Sequence, residues 1–386
     1  MHITASSIYN AVFFSSMMIV FLWLLLKNWK VVSKLRFQLI FLCLALIVIR
    51  LLIPVEYFFT ITVLSTNILP VVNDFLNYIV CSVAGHDIPM HHLLCIIWMT
   101  GSTVYLCKSL YTYLSLQKII RHAKNIGNHA MLQNIISDIM NKHNSRKKIQ
   151  IVQIPYLSTP MITGILHPCI FLPDIDLSEE ELIFILNHET SHYFHGDLLM
   201  KFVMEILSVI YWWNPLMPLL KKQVSKVLEI HTDMRITKNL SELEQISYLE
   251  CLVNTAKKRN KSYMEQLAIP FIGEHTTTLT QRVNIILNRQ EVKKKEQFLA
   301  SLSLFPLFII ALLSFCVIFE AYSISPENIE NSVELTEDNA YLVPNADNEY
   351  DIYYNGEFWS TVSTTDALGI DLPVYYEHEK EDNINE

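Results

Sequence analysis

"DLSEEELIFILNHETSHYFHGD", residues 176–197, carries the strongest local signal in the chain. Ser178 followed by Glu181 is a capping box, and Glu179 and Glu180 favour a helix start, so a helix is predicted from near Glu179. Leu182, Ile185 and Leu186 give it a buried stripe, and Gly196 is a stop signal. His188, Glu189 and His192 then fall in its last turns. Residues four apart share one helix face, so His188 and His192 can present two imidazoles to one metal ion. Glu189 projects beside them, placed to take a proton from an attacking water. That is the physical content of the His-Glu-x-x-His pattern: two zinc ligands and a general base on one helix. A surface helix with a histidine pair would leave the strongly apolar approach to the motif unexplained.

Catalytic zinc takes a third protein ligand and keeps its fourth position for water. A second polar helix, expected from about Lys221, carries Glu229 and Asp233, again four apart. One of these carboxylates can reach the metal while the other braces a ligand histidine.

The surroundings are apolar. Of the 386 residues 51% are hydrophobic and only eight are glycine, which argues against a string of soluble domains. Uncharged or nearly uncharged blocks occupy residues 8–26, 37–55, 93–107 (extendable to 114) and 298–319. Because roughly 20 apolar residues cross a bilayer as a helix, these blocks predict four spans. The first has no basic residue ahead of it and no small-residue cleavage site behind it, so a span rather than a cleaved signal peptide is expected. Lys27, Lys30, Lys34 and Arg36 fill the link between spans one and two, and residues 115–297 are rich in Lys and Arg. Residues 56–92 and the tail are acidic; the tail's only basic residue is Lys380, and it supplies most of the net charge of −9. Basic residues stay on the cytoplasmic side. The expectation is therefore a multi-pass cell-membrane protein with its N-terminus and tail outside and residues 115–297 in the cytoplasm. Arg50 is expected at the outer boundary near Glu56, and Lys108 at a boundary likewise. The seven cysteines form no C-x-x-C pair, which excludes a disulfide scaffold and a thiolate zinc site.

Within residues 115–297, one or two connecting helices are expected over 115–144, and a half-buried strand over 149–154. "STPMITGILHPCIFLP", residues 158–173, reads as strand, turn at Gly164 and strand, with a sheet edge implied by its prolines. Residues 198–220 are apolar enough to suggest a fifth span, but Lys201 and Glu205 interrupt them and can pair at i,i+4. A span there would carry Glu229 away from the histidines, so a core or membrane-apposed helix is expected.

Together, "HETSH", the following Gly196-Asp197, "WWNPL" (212–216) and "LEIHTD" (228–233) resemble the BlaR/MecR-type membrane metallopeptidases, gluzincins anchored by four spans. The resemblance runs over residues 8–319. It implies a mostly α, α+β zinc metallopeptidase domain on the cytoplasmic side, with His188, His192 and Glu229 as Zn2+ ligands and Glu189 as base. It further implies Asp233 as the orienting residue and a structural part for Asp197. No spacing selects an oxyanion stabiliser among Tyr193, His195, His231 and His275. "GEHTTTLTQRV" (273–283) loosely resembles a downstream segment of related proteases, which adds His275 and Arg282 as oxyanion or substrate candidates beside Gly164. His195 follows the site histidines too far along the helix to join them. The division implied is three spans with an outer loop in 1–114 (loop 56–92), the peptidase domain in 115–297, the fourth span in 298–320 and the tail in 321–386. The implied function is a signal-transducing protease that cleaves a cytoplasmic transcriptional repressor, or itself, without touching nucleic acid directly. A homodimer is kept among the partners, beside the bilayer and the peptide substrate. A quality-control membrane protease and a non-catalytic receptor with a vestigial site are the alternatives.

The tail departs from the best-known members, whose outer penicillin-binding sensor uses a Ser-x-x-Lys serine: residue 377, three before Lys380, is Glu. Residues 325–340 read as a disordered linker. Asn355-Gly356, between aromatic-rich runs, reads as a hairpin turn.

Overall fold

The computed structural model describes residues 4–83, 86–122, 124–125, 130–154, 157, 159–173, 177–257, 279–288, 293–322, 335–336, 339–345, 349–362 and 372–375. His275 and most of the predicted linker lie outside them. The chain divides into two compact units, Met1–Ala321 and Tyr322–Glu386.

In the first unit a capping box between Thr4 and Ser7 starts α1 (Ala5–Lys27). A short α2 (Trp29–Val32) leads to α3 (Phe37–Leu52). Next come β1 (Ile61–Ser65), α4 (Ile68–Asn77), the β2 (Ile79–Val83) and β3 (His86–Pro89) hairpin, and α5 (Met90–His122). Then follow β4 (Lys124–Asn125), α6 (Ala130–Lys142), β5 (Gln150–Ile154), β6 (Met161–Thr163) and β7 (Cys169–Pro173). The helices α7 (Glu179–Phe194), α8 (Asp197–Ile210), α9 (Leu216–Ile236), α10 (Glu242–Lys257) and α11 (Leu279–Leu287) come next. The unit closes with α12 (Lys294–Leu302), α13 (Phe305–Cys316) and β8 (Val317–Ala321). The small sheet has strand order β4-β5-β7-β6, so β6 is an edge strand, joined to β7 by a turn at Gly164 whose φ of 89° suits glycine.

Among the described residues, three helical stretches are long and apolar enough to cross a membrane: Ala5–Lys27, Met90–Ile119 and Lys294–Cys316. The 16-residue α3 reaches only about 24 Å at 1.5 Å per residue, short of a hydrocarbon core of about 30 Å.

Several expectations need correction. The predicted fourth span ends early, because Val317–Ala321 leaves the helix and pairs in parallel with β1. Asn10 of α1 holds this strand by two hydrogen bonds to the Phe319 backbone. Arg50 does not pair with Glu56. It is buried, donating to Ser314 (2.7 Å) and to the Val55 carbonyl (3.2 Å), with its guanidinium over Phe315. Glu205 pairs with Lys221 and Ser109, not with Lys201. Helix α9 begins at Leu216, not Lys221. Pro218 lies in its first turn, where a helix has no use for the missing N–H.

Two large apolar cores organise this unit. One joins α1, α3, α8, α9 and α13 through residues such as Leu22, Leu44, Leu207, Val224 and Leu307. The other joins α6, the sheet, α7 and α10 through Ile135, Ile170, Leu186 and Tyr248. Adjacent residues of α11 enter both: Ile285 the first, Ile286 the second.

The second unit holds an antiparallel sheet β9 (Ala340–Pro344), β10 (Tyr350–Tyr354) and β11 (Glu357–Val362). The Asn355-Gly356 turn, with φ of 50° and 84°, makes the predicted hairpin, and β9, which meets the predicted linker only at Ala340, adds a third strand that was not expected.

Candidate metal centre

The capping box that starts α7 is formed in both directions: Ser178 Oγ accepts from the Glu181 N–H and Glu181 accepts from the Ser178 N–H. The helix carries His188, Glu189 and His192, all buried, and the two histidines face Glu229 of α9. Gly196, in the left-handed region (φ 77°), ends the helix and reverses the chain into α8. That reversal brings Asp197, the first residue of α8, back to His192, with Oδ2 2.7 Å from Nδ1. Helix α9 contributes Glu229 and Asp233 from the other core.

Three ligand atoms converge. His188 Nε2 and His192 Nε2 are 3.2 Å apart, and the Glu229 carboxylate lies 3.3 Å from the first and 3.5 Å from the second. The vertices of a tetrahedron with zinc–ligand bonds of about 2.0 Å are about 3.3 Å apart, so the spacing fits zinc. Proton accounting supports the same reading. His192 Nδ1 faces the Asp197 carboxylate and must carry the proton there. Tyr248 donates its hydroxyl proton to Asp233 Oδ1 (2.7 Å), so its oxygen accepts from His188 Nδ1 (2.9 Å). Both Nε2 atoms therefore point lone pairs at each other and at a carboxylate. Such an arrangement calls for a cation, and His188, His192 and Glu229 are the group able to hold a metal ion among the described residues.

The surroundings are strongly charged. Arg282 on α11 donates through Nε and Nη2 to Asp233 (2.5 and 2.8 Å), and its Nη1 lies 3.3 Å from Glu229. Burial opposes its charge, but Asp233 and Glu229 together hold its pKa above the ordinary value. Burial likewise disfavours a charged His188, yet its hydrogen bond to Glu229 and the nearby carboxylates of Glu229, Asp233 and Glu189 shift it upward overall. Burial, with Asp233 adding to it, raises Tyr248 well above the phenolic range, so its hydroxyl stays a donor.

A cavity of about 230 Å³ opens on the centre. His188, Glu189, His192, Glu229 and Arg282 line it, with Met161 and Ile162 of edge strand β6 on one wall. Lys201 also lines it, with no carboxylate partner among the described residues. Gly164 is not part of the lining; it turns the β6–β7 hairpin instead. His231 stacks on Phe37 (centroids 5.2 Å apart), away from the cavity, and His195 caps α7. Asp233 reaches His188 mainly through Tyr248, its own Oδ1 being 3.5 Å from Nδ1. Sequence reasoning missed Tyr248. It lies in an ordinary amphipathic helix, and no spacing ties it to the motif.

A family model described as BlaR1 peptidase M56 matches residues 14–286, a range that contains the whole centre. The chain belongs to this peptidase family. Curated relatives include the regulatory protein BlaR1 of Bacillus licheniformis, 26% identical over 198 residues, or 50% of this chain and 32% of the relative. The methicillin resistance mecR1 protein of Staphylococcus aureus is 24% identical over 144 residues, 36% of this chain and 24% of the relative. BlaR1 of Staphylococcus aureus is 22% identical over 193 residues, 49% and 33% of the two chains. The matched region thus spans about a third or less of these relatives' length. Family membership implies a metal-dependent membrane peptidase, and the His-His-Glu cluster is a group able to hold such a metal.

Proposed function

We propose that this chain is an integral-membrane zinc endopeptidase that transduces a signal by proteolysis. The observation that carries the reading is the convergence of His188, His192 and Glu229 at 3.2–3.5 Å, with Glu189 lining the same cavity. Zinc bound there would polarise a peptide carbonyl and make a water more acidic. Glu189 accepts the proton of the attacking water and returns it to the leaving amine. An extended substrate adds to the open edge of β6 through backbone hydrogen bonds. Asp197 and Tyr248 fix which nitrogen of each histidine is free, and Arg282 holds Glu229 and Asp233 in place.

In this reading α1, α5 and the α12–α13 segment are spans and α3 is the fourth, its crossing completed by the non-helical residues 53–55 that follow it; residues 115–297 are in the cytoplasm and the N-terminus and tail outside. The distribution of Lys and Arg supports that orientation. The domain division is 1–114, 115–297, 298–320 and 321–386. The names of the relatives, a regulatory protein and a methicillin resistance protein, support a regulatory part for the protease; the substrate proposed is a cytoplasmic repressor, or the chain itself.

Purified full-length protein should contain about one zinc per chain and cleave a protein substrate. Glu189→Gln should keep the zinc and lose the cleavage; undiminished turnover by that variant sinks the proposal. Comparing the cellular proteins cut by wild type and Glu189→Gln should reveal one or two substrates. Many unfolded ones would point to quality control instead.

A further inference from the structure

We propose that α8 and the first half of α9 form a re-entrant hairpin that enters the bilayer from the side of the metal centre and turns back inside it. Its occupied outer face would contact lipid acyl chains, leaving the metal centre where the hairpin enters the membrane. The inference rests on the reading that α5 and its neighbours span a membrane.

Two helices act as rulers. His231, near the end of α9, stacks on Phe37 and meets Phe41 edge-on (centroids 4.9 Å apart), at the start of α3. Tyr211, at the hairpin tip, donates to the carbonyl of Leu51 (2.7 Å), one residue from the other end of α3. The tip and α9 together therefore flank α3 from near one end to the other, the hairpin lying along the part nearer Leu51. Helix α5 gives a second measure. Trp98 Nε1 donates to the Ile210 carbonyl (2.8 Å) and Trp212 Nε1 to the Trp98 carbonyl (3.2 Å). The Trp212 indole lies against Gly101 so closely that an added Cβ would sit 2.1 Å from the ring. Further along α5, Ser109 donates to Glu205 (2.9 Å). All these contacts fall inside the Met90–Ile119 stretch, which is long and apolar enough to cross. At the hairpin's open end, Lys226 and Gln281 donate to the carbonyl of Leu26, where α1 ends.

The hairpin itself is suited to hydrocarbon. Leu199, Phe202 and Ile206 are 54%, 48% and 39% exposed, at helical spacing on one face, and Trp213 at the tip is 49% exposed. A water-facing helix with this row would carry an unexplained apolar patch. Glu205, the buried carboxylate of the hairpin, is neutralised by Lys221 across it. The turn satisfies its own backbone: the Asn214 N–H donates to Tyr211 (2.9 Å), and its side chain accepts from the Leu216 N–H (2.9 Å). Helix α8, 14 residues or about 21 Å long, is too short for a complete crossing, and α9 returns Glu229 to the histidines of α7.

The test uses a full-length, cysteine-free version reconstituted in phosphatidylcholine vesicles, with nitroxide labels at Phe202→Cys, Ile206→Cys and Trp213→Cys. These positions are exposed, so labels there do not disturb packing. Val104, 64% exposed on α5, is the lipid control, and exposed Lys238 is the water control. The reading is the ratio of oxygen to nickel-chelate accessibility. It is expected to match Val104 and to exceed Lys238 by about tenfold or more at all three sites. Water-like ratios at these sites beside a lipid-like Val104 would overturn the hairpin proposal. A water-like Val104 would instead overturn the spanning reading on which it rests. In the unsubstituted chain, brominated acyl chains should quench tryptophan emission, and W212F/W213F should lose much of that quenching; equal quenching in both also contradicts the proposal.

Discussion

The two ligand histidines are braced in opposite ways. His192 leans on Asp197, five residues on, brought back by the left-handed Gly196. His188 leans on Tyr248, sixty residues away, which is fixed by Asp233, which is in turn fixed by Arg282. The first brace needs one turn of backbone. The second needs α9, α10 and α11 to come together from two separate cores. One ligand is thus secured by local geometry, and the other reports on whether the unit has assembled.

The sharpest way to break the distant brace is Arg282→Met. Asp233 is 1% exposed, so removing its partner strands a buried carboxylate and should cost about 3–5 kcal/mol. Unfolding of detergent-solubilised protein measures this. Arg282→Met with Asp233→Asn should recover much of the loss, because Asp233 then carries no uncompensated charge and Glu229 keeps its contacts with His188 and His192. If the single variant is as stable as wild type, the Arg282–Asp233 pair does not join the two cores.

The next test compares the braces directly by zinc affinity in competition with a chelator. Asp197→Asn removes the only carboxylate among the described residues within hydrogen-bond reach of His192 Nδ1, and should weaken zinc binding about 10- to 100-fold. Tyr248→Phe should do less, about tenfold or below, because Asp233 Oδ1 already lies 3.5 Å from His188 Nδ1 and can take over the contact. The opposite ranking would mean that the distant brace, not the local one, sets metal affinity.

The same contrast separates what was legible in the sequence from what was not. Ser178, Glu181, His188, His192 and Gly196 act within one helix and its ends, where spacing translates directly into geometry. Glu229 and Asp233 were readable as a second pair because they too sit four apart on a helix. Asp197 was readable as a neighbour, but its contact with His192 depends on the reversal at Gly196. Tyr248 and the closeness of Arg282 depend on how α10 and α11 pack, which periodicity cannot express. Near the membrane the limit was different. Residues 317–319 are continuously apolar, and such a run looks alike in a helix and in a buried strand. Only pairing with β1 and the hydrogen bonds from Asn10 decide for the strand.

The smallest effect isolates the turn on which the local brace depends. A Cβ at Gly196 would meet nothing within 4 Å, so Gly196→Ala carries a conformational cost without a clash. Holding alanine at a φ of 77° should cost about 1 kcal/mol, and Gly196→Asn should cost less, because asparagine tolerates the left-handed region. If the turn serves only to return Asp197, both variants should lose stability in that order while binding zinc as wild type does, since each still closes the Asp197–His192 contact once folded. A zinc affinity that falls in Gly196→Ala along with stability would show instead that the turn relaxes by moving Asp197. The local brace would then be no more rigid than the distant one.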